Sequence, residues 1–405
     1  MKSFRIYWVA ALAVLVAAGA LLSMAKRAPE PIKVGVLHSL TGNMGASERP
    51  LVDALQFAFD EINAAGGLLG RPVHPVVADC RSDADFCAHE AVRLISEEHV
   101  SALFGCWTSA CRKAVKPVVE RHHHLLFYPL QYEGMELSPN IVYVGSAPNQ
   151  QIIPAVRWSL DNLGKTFYLV GSDYVFPHTA NLIIKDFILS HGGRILGERY
   201  LPLGSNDVAP IIDDLLKLRP AVVLNTINGD TNTAFFKAFN QAGLSAKSMP
   251  VFSFSLAEAG FSQLPDIAGH YAAWSYFQSL PNEANQAFVK AFRQRYGAGR
   301  VIGDPMESSY TAVHLWKQAV QSAHSDKADV VNSAVSWQSL RAPGGIAVVG
   351  ANTRHTWKAA RIGRTRADGQ FDIVWESSGL IAPEPFPRYR TREQWGRMLK
   401  HEVQP

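Results

Sequence analysis

From Ile32 onward, short apolar runs alternate with longer segments whose apolar residues recur at helical spacing. That alternation is the mark of strand–helix units laid on a parallel sheet. Strands are predicted at Ile32–His38, Val73–Asp79, Ala102–Cys106 and Leu125–Tyr128, with helices over about 50–65, 83–97 and 110–122 between them. After Ala147, Pro148 and Asn149 a second series begins, with strands at Phe167–Gly171, Ile195–Tyr200, Ala221–Thr226 and Val251–Ser255. Helices near 150–163, 177–191, 208–218 and 231–242 separate them.

Two consecutive series, each too small to be the whole protein, predict an α/β fold of two doubly wound, Rossmann-like lobes. The chain then turns back toward the first lobe, with His270–Phe277 as a strand and helices over 282–296 and 306–323. Segments 357–364 and 370–375 read as a β-hairpin around Ala367, Asp368 and Gly369. Pro383, Pro385 and Pro387 impose an extended tail. The division this suggests is 28–148 with 274–348 for lobe 1, and 149–273 with 349–405 for lobe 2.

Residues 1–27 follow a different pattern. Lys2 and Arg5 precede an uncharged run from Ile6 to Ala25 that closes on Ser23, Met24 and Ala25. The small residues suit cleavage of an export signal, while 20 uncharged residues are also enough to span a bilayer. The segment is a signal sequence or an N-terminal membrane anchor, and the remainder is expected outside the cytoplasm. The net charge of +4 falls to +2 without Lys2 and Arg5. That balance points to no nucleic-acid partner and to membrane contact only through an uncleaved N-terminal segment.

All four cysteines, Cys80, Cys87, Cys106 and Cys111, lie within 32 residues. An oxidising compartment allows three full pairings. The expected bridge is Cys80–Cys111, joining the loop after one strand to the turn after the next, with Cys87 and Cys106 as buried thiols. Their spacing fits no zinc site, and adjacent His122, His123 and His124 diverge too much to share an ion. Gly164, Lys165 and Thr166 lack the glycine a phosphate loop needs, since Ser159 stands there. No nucleophile–base motif is present either. No enzyme activity, cofactor or metal is therefore expected.

Ligand chemistry instead gathers at strand ends. Phe104–Cys111 (FGCWTSAC) and Leu126–Gly134 (LFYPLQYEG) run from apolar strands straight into hydroxyl and aromatic residues, where open α/β sheets meet their ligands. Thr108 and Ser109 can cap the following helix or contact a ligand. Asp230 can likewise cap the helix starting at Thr231.

These segments carry a family resemblance. Gly105–Ser109 with Arg112 and Lys113, Phe127–Gly134, Ala147–Gln150, Gly171–Pro177, Thr226–Asp230 and Asp304–Glu307 resemble the urea- and short-amide-binding branch of the type I periplasmic binding proteins over about 32–383. That branch includes the urea-binding components of ABC transporters and, more distantly, amide-sensing regulators of aliphatic amidase. The resemblance implies a Venus-flytrap receptor with three crossovers between its lobes. It also implies delivery of urea or a short-chain amide to an ABC permease. It implies cleft residues Trp107 and Ser109, Tyr128 and Gln131, Tyr174, Asn228 and Asp230, with Thr108 and Glu307 as further candidates. Phe176 stands where the family often has tyrosine, which removes one hydroxyl. Urea offers one carbonyl and four N–H hydrogens, so a closed pocket must supply at least one donor and several acceptors. A branched-chain amino-acid receptor and a membrane-tethered amide sensor are the alternative readings.

Overall fold

The computed structural model describes residues 29–402 except 263 and 265, so the N-terminal signal or anchor lies outside the described residues. The first sheet is wholly parallel, in the order β2 (Val73–Asp79), β1 (Ile32–His38), β3 (Leu103–Gly105), β4 (Leu126–Tyr128) and β5 (Ile141–Tyr143). Helices α1 (Gly45–Ala64), α2 (Ala84–Ser96) and α3 (Ser109–Arg121) connect its first four strands. β3, β4 and β5 are buried along their whole length, as strands covered on both faces must be. The helix expected to open at Pro50 begins at Gly45 instead, with Pro50 inside it.

A 3₁₀ turn at Pro148–Gln150 leads into the second lobe. There follow α4 (Ile152–Asn162), β6 (Thr166–Ser172), α5 (Val175–Ser190), β7 (Arg194–Leu201), α6 (Ala209–Leu218), β8 (Val222–Thr226), α7 (Thr231–Gln241), β9 (Val251–Ser253), α8 (Glu258–Phe261) and β10 (Tyr271–Trp274). The strand expected over His270–Phe277 on the return to the first lobe is thus shorter. It belongs to the second sheet, where β10 pairs parallel to β9.

Only after β10 does the chain return. Helices α9 (Glu283–Tyr296) and α10 (Asp304–Ala323) pack on the first lobe, where Trp316 meets Phe59 and Phe104 edge-on. Helix α11 (Ala328–Ala334) leads to a small antiparallel sheet of β11 (Ser339–Ala342), β12 (Gly345–Val349) and β13 (Thr356–Trp357). The chain then crosses a third time. The expected hairpin forms as β14 (Arg361–Thr365) and β15 (Phe371–Glu376) and extends the second sheet to the order β15-β14-β10-β9-β8-β6-β7. After the extended proline segment, α12 (Arg392–Glu402) docks on the second lobe.

The three crossings are tied together. Ser146 and Ser275 share a hydroxyl hydrogen bond of 2.7 Å, Lys358 Nζ donates to the Val144 carbonyl at 3.0 Å, and Arg361 donates to the Ser275 carbonyl. Together they hold the C-terminal ends of the two sheets face to face.

Candidate functional site

The turn after β3 requires Gly105. Its φ is +149°, and a Cβ there would lie 1.9 Å from the Leu37 carbonyl oxygen. This close approach delivers Trp107, Thr108 and Ser109 to the N-terminus of α3, facing the second lobe. The Trp107 indole N–H donates across the cleft to Asn228 Oδ1 at 3.0 Å. Asn43 Nδ2 to the Leu203 carbonyl (3.1 Å) and Gln131 Nε2 to the Phe254 carbonyl (3.0 Å) also bridge the lobes. The structure is that of a closed clamp.

A cavity of about 120 Å³ lies in this cleft, lined by Leu51, Trp107, Gly229, Asp230, Ser255 and Met306 among others. It is well under the ~300–1,000 Å³ of sites for drug-sized ligands. Trp107 and Asp230 reach it from opposite lobes. Asp230 is exposed at its rim and makes no cap bond to α7, so its carboxylate does not serve as the anticipated helix cap. Thr108 does act as a cap, its hydroxyl accepting from the Cys111 N–H at 3.1 Å.

Beside the cavity, a buried ionic group underlies the strand ends. Ser109 donates to Glu133 Oε2 at 2.6 Å and accepts from Arg112 Nη1 at 2.8 Å. Arg112 is fully buried and also binds Glu133 Oε1 at 2.9 Å and Glu136 Oε1 at 3.0 Å. Burial alone would lower the arginine pKa, yet Glu133 and Glu136 outweigh it and raise it. Burial likewise works to raise the Glu136 pKa, but Arg112 and Lys113 pull it down to about 2. The Tyr128 hydroxyl donates to the Trp107 carbonyl at 2.7 Å, while Arg112 lies 5.0 Å from the centre of the Tyr128 ring. Tyr143 donates to Glu136 at 2.9 Å and stacks on Tyr132 and His355.

Among the anticipated residues, Trp107, Ser109 and Tyr128 form one bonded group, with Asn228 reached from it. Tyr174 precedes α5 as its N-terminal flanking residue and is half-buried, with its ring beside Phe176. Burial raises its pKa, with Tyr128 and Glu133 adding to the effect. Of the anticipated residues, Trp107 and Asp230 line the cavity, whereas Thr108, Ser109, Tyr128, Gln131, Tyr174, Asn228 and Glu307 lie outside its lining. Glu307 accepts from Thr311 at 3.0 Å and from the Gly344 N–H at 2.9 Å, which ties α10 to the β11–β12 turn. Arg112, Glu133 and Glu136, which surround Ser109, were not among the anticipated residues, although Arg112 stands three positions after Ser109, a spacing that places both on one helical face.

The cysteine expectation is corrected. Cys80 pairs with Cys87 and Cys106 with Cys111, so the Cys80–Cys111 bridge does not form and neither Cys87 nor Cys106 is a free thiol. The seven-residue reach of the first bridge follows from α2 starting at Ala84 and turning Cys87 back under Cys80.

Residues 32–392 match the periplasmic binding protein domain, and the chain belongs to that family. Its architecture is the type I periplasmic binding fold, with parallel α/β sheets in two lobes. A Leu/Ile/Val-binding protein homolog of Brucella melitensis is 23% identical over 387 residues, covering 88% of this chain and 93% of that protein. A 119-residue stretch is 35% identical to a Geobacillus stearothermophilus protein named limonene hydroxylase. That match spans 29% of this chain and only 22% of the other protein's length. A Rhodopseudomonas palustris ABC-transporter solute-binding protein in complex with 3,4-dihydroxybenzoic acid superposes with a TM-score of 0.79 at 20% identity, covering 87% of this chain and 99% of that one. A Thermotoga maritima leucine-binding protein gives 0.76 at 18% identity, covering 85% and 98%. No helix among the described residues is long and apolar enough to cross a membrane.

Proposed function

We propose that the protein is an extracytoplasmic solute-binding protein that captures urea or a short-chain aliphatic amide between its lobes and delivers it to an ABC permease. The observation that carries this reading is the meeting of neutral polar groups from both lobes, Trp107 with Asn228, over a cavity of about 120 Å³. A ligand held this way is bound and released unchanged. Trp107 covers it, and exclusion of water strengthens each hydrogen bond. Contacts from both lobes exist only in the closed form, so ligand shifts the open–closed equilibrium by its difference in affinity for the two states.

A second reading draws on the apolar side of the cavity. Leu51, Leu256 and Met306 line it beside Trp107, and a dry cavity of roughly 150 Å³ can hold benzene. A leucine-like or benzoate-like ligand, as named for the structural relatives, would use that wall. A thermal-shift panel of urea, acetamide, formamide, leucine and benzoate separates the two readings. Ligand at 100 times its Kd stabilises by about 2.7 kcal/mol. Stabilisation by leucine or benzoate alone would overturn the urea–amide reading.

A further inference from the structure

We propose that the outer face of the β11–β13 sheet rests on an anionic lipid bilayer, to which the uncharged run at 6–25 tethers the chain as a retained anchor. The inner face of this sheet belongs to the first lobe, where Val349 joins the core and Leu340 packs against it. Ala342, Ala347 and Thr356 are buried on the same side. Alternation along each strand then turns Ser339, Arg341, Ile346, Val348 and Trp357 outward. The register sets Val348 between Ser339 and Trp357, with Ile346 beside Arg341.

This face is open to solvent. Ile346 is 49% exposed and Trp357 37%, while Trp337, which leads into β11, reaches 65%. Trp337 also has φ +67°, a conformation that bulky side chains rarely adopt. Val330 on α11 adds a further exposed apolar side chain. Contiguous apolar surface of this kind marks an interaction site, whereas scattered single residues do not.

Charge and reach identify the occupant. Residues 330–367 contain no Asp or Glu, although the chain has 35 in 405 residues. Arg341 lies exposed within the apolar face itself. Tryptophan beside arginine suits the headgroup layer, where indoles settle and basic side chains meet anionic lipid. A second copy of the chain would bring the same acid-free surface and no counter-charge for Arg341. Between Ala25 and Ile32 stand only residues 26–31, which reach at most about 25 Å fully extended. Where that tether meets the first lobe, Arg71 Nε donates to the Glu30 carbonyl at 2.7 Å and Arg71 Nη1 to Asp326 at 2.6 Å. Asp326 stands two residues before α11, which leads to Trp337. The anchor thus emerges beside the start of the apolar face. Held at so short a reach, the face meets the bilayer at high effective concentration, and weak contacts suffice.

The test places the full chain in vesicles of phosphatidylcholine and phosphatidylglycerol brominated close to the headgroup, and reads quenching of tryptophan emission. A Trp8→Phe background silences the anchor, which carries a tryptophan of its own. Emission from this background should be quenched, and Trp337→Phe with Trp357→Phe should remove most of that quenching. Both side chains are exposed, so the fold tolerates the change. An unquenched background, or quenching that survives both substitutions, overturns the proposal. Arg341→Glu, and vesicles of phosphatidylcholine alone, should each reduce the quenching, and equal quenching in both cases overturns the anionic-lipid assignment. Sedimentation of the detergent-solubilised chain should give a monomer. A dimer that Trp337→Glu dissociates would put a second copy on this face and overturn the proposal. The protein purified from its native membrane should keep its full mass, and a mass lacking residues 1–25 overturns the tether.

Discussion

Arg112 lies fully buried between Glu133 and Glu136. Two carboxylates taken out of water are tolerable only while that guanidinium and its partners supply their hydrogen bonds. Arg112→Met keeps much of the volume and removes the charge, so it should destabilise the protein by ~3–5 kcal/mol, read as a lowered melting temperature. The same change should alter the acid limit. Against the effect of burial, Arg112 and Lys113 hold Glu136 down to about 2 from 4.5, so its stabilisation is complete above 4.5 and is lost as pH falls toward 2. Without Arg112 that loss should begin at higher pH, and an unchanged acid midpoint would show that Lys113 holds Glu136 by itself. At this scale the sequence was half legible. Trp107, Ser109 and Tyr128 stand at strand ends that periodicity locates, and Arg112 follows from helical spacing. Glu133 and Glu136 sit in an irregular stretch after β4, where no period says which way a side chain faces. Thr108 had two chemically sound uses, and the 3.1 Å bond to the Cys111 N–H shows one of them, the cap.

Parallel strands covered on both faces announce themselves as apolar runs, which is why β1, β6 and β8 could be placed within a residue or two. Elements stabilised by a few anchors could not. The helix α12 is polar along most of its length, and one tryptophan, Trp395, fixes it. Trp395 is fully buried in the second lobe, packs edge-on against Tyr389 and donates to the Pro387 carbonyl at 3.0 Å. Trp395→Ala should cost ~3–5 kcal/mol, as for other large aromatics removed from cores. A loss under ~1 kcal/mol by thermal melting would mean that α12 contributes little to the second lobe. The strand β10 was misplaced for a related reason. Its residues fit either sheet, and membership was decided by the partners β9 and β14, which only tertiary pairing reveals.

In the closed molecule Gly229 lies against the opposite lobe. Gly229 has φ +64°, and a Cβ on it would lie 2.8 Å from the Asn43 carbonyl of the opposite lobe. Gly229→Ala pays left-handed strain of ~1–2 kcal/mol in both states, whereas the clash arises only when the lobes meet. Ligand affinity should therefore fall by about tenfold beyond any loss of stability, and scattering should show a larger radius of gyration with ligand present. Glu258 at the start of α8 makes the stability of the molecule sensitive to pH. Its Oε1 accepts from the Gln278 N–H at 2.8 Å, while Oε2 is buried without a partner and faces Gly303. Burial raises its pKa to about 8 from 4.5, so between those values the folded protein holds a proton that the unfolded chain has released. The contribution to stability is full below 4.5 and is lost as pH rises through 8. Two buried histidines act in the opposite sense at lower pH. Burial lowers His270 to about 4 and His355 to about 3, so they cost stability as pH falls through 6.5. The unfolded histidines lose their last protons only by about pH 7.5, yet between 6.5 and 8 the Glu258 effect is the larger, and stability should decline. Melting temperatures across that interval should fall for the wild type and flatten for Glu258→Gln. An equal slope in both proteins would assign the decline to other groups, with buried Asp304 and Glu307, whose pKa values burial also raises, the first to substitute.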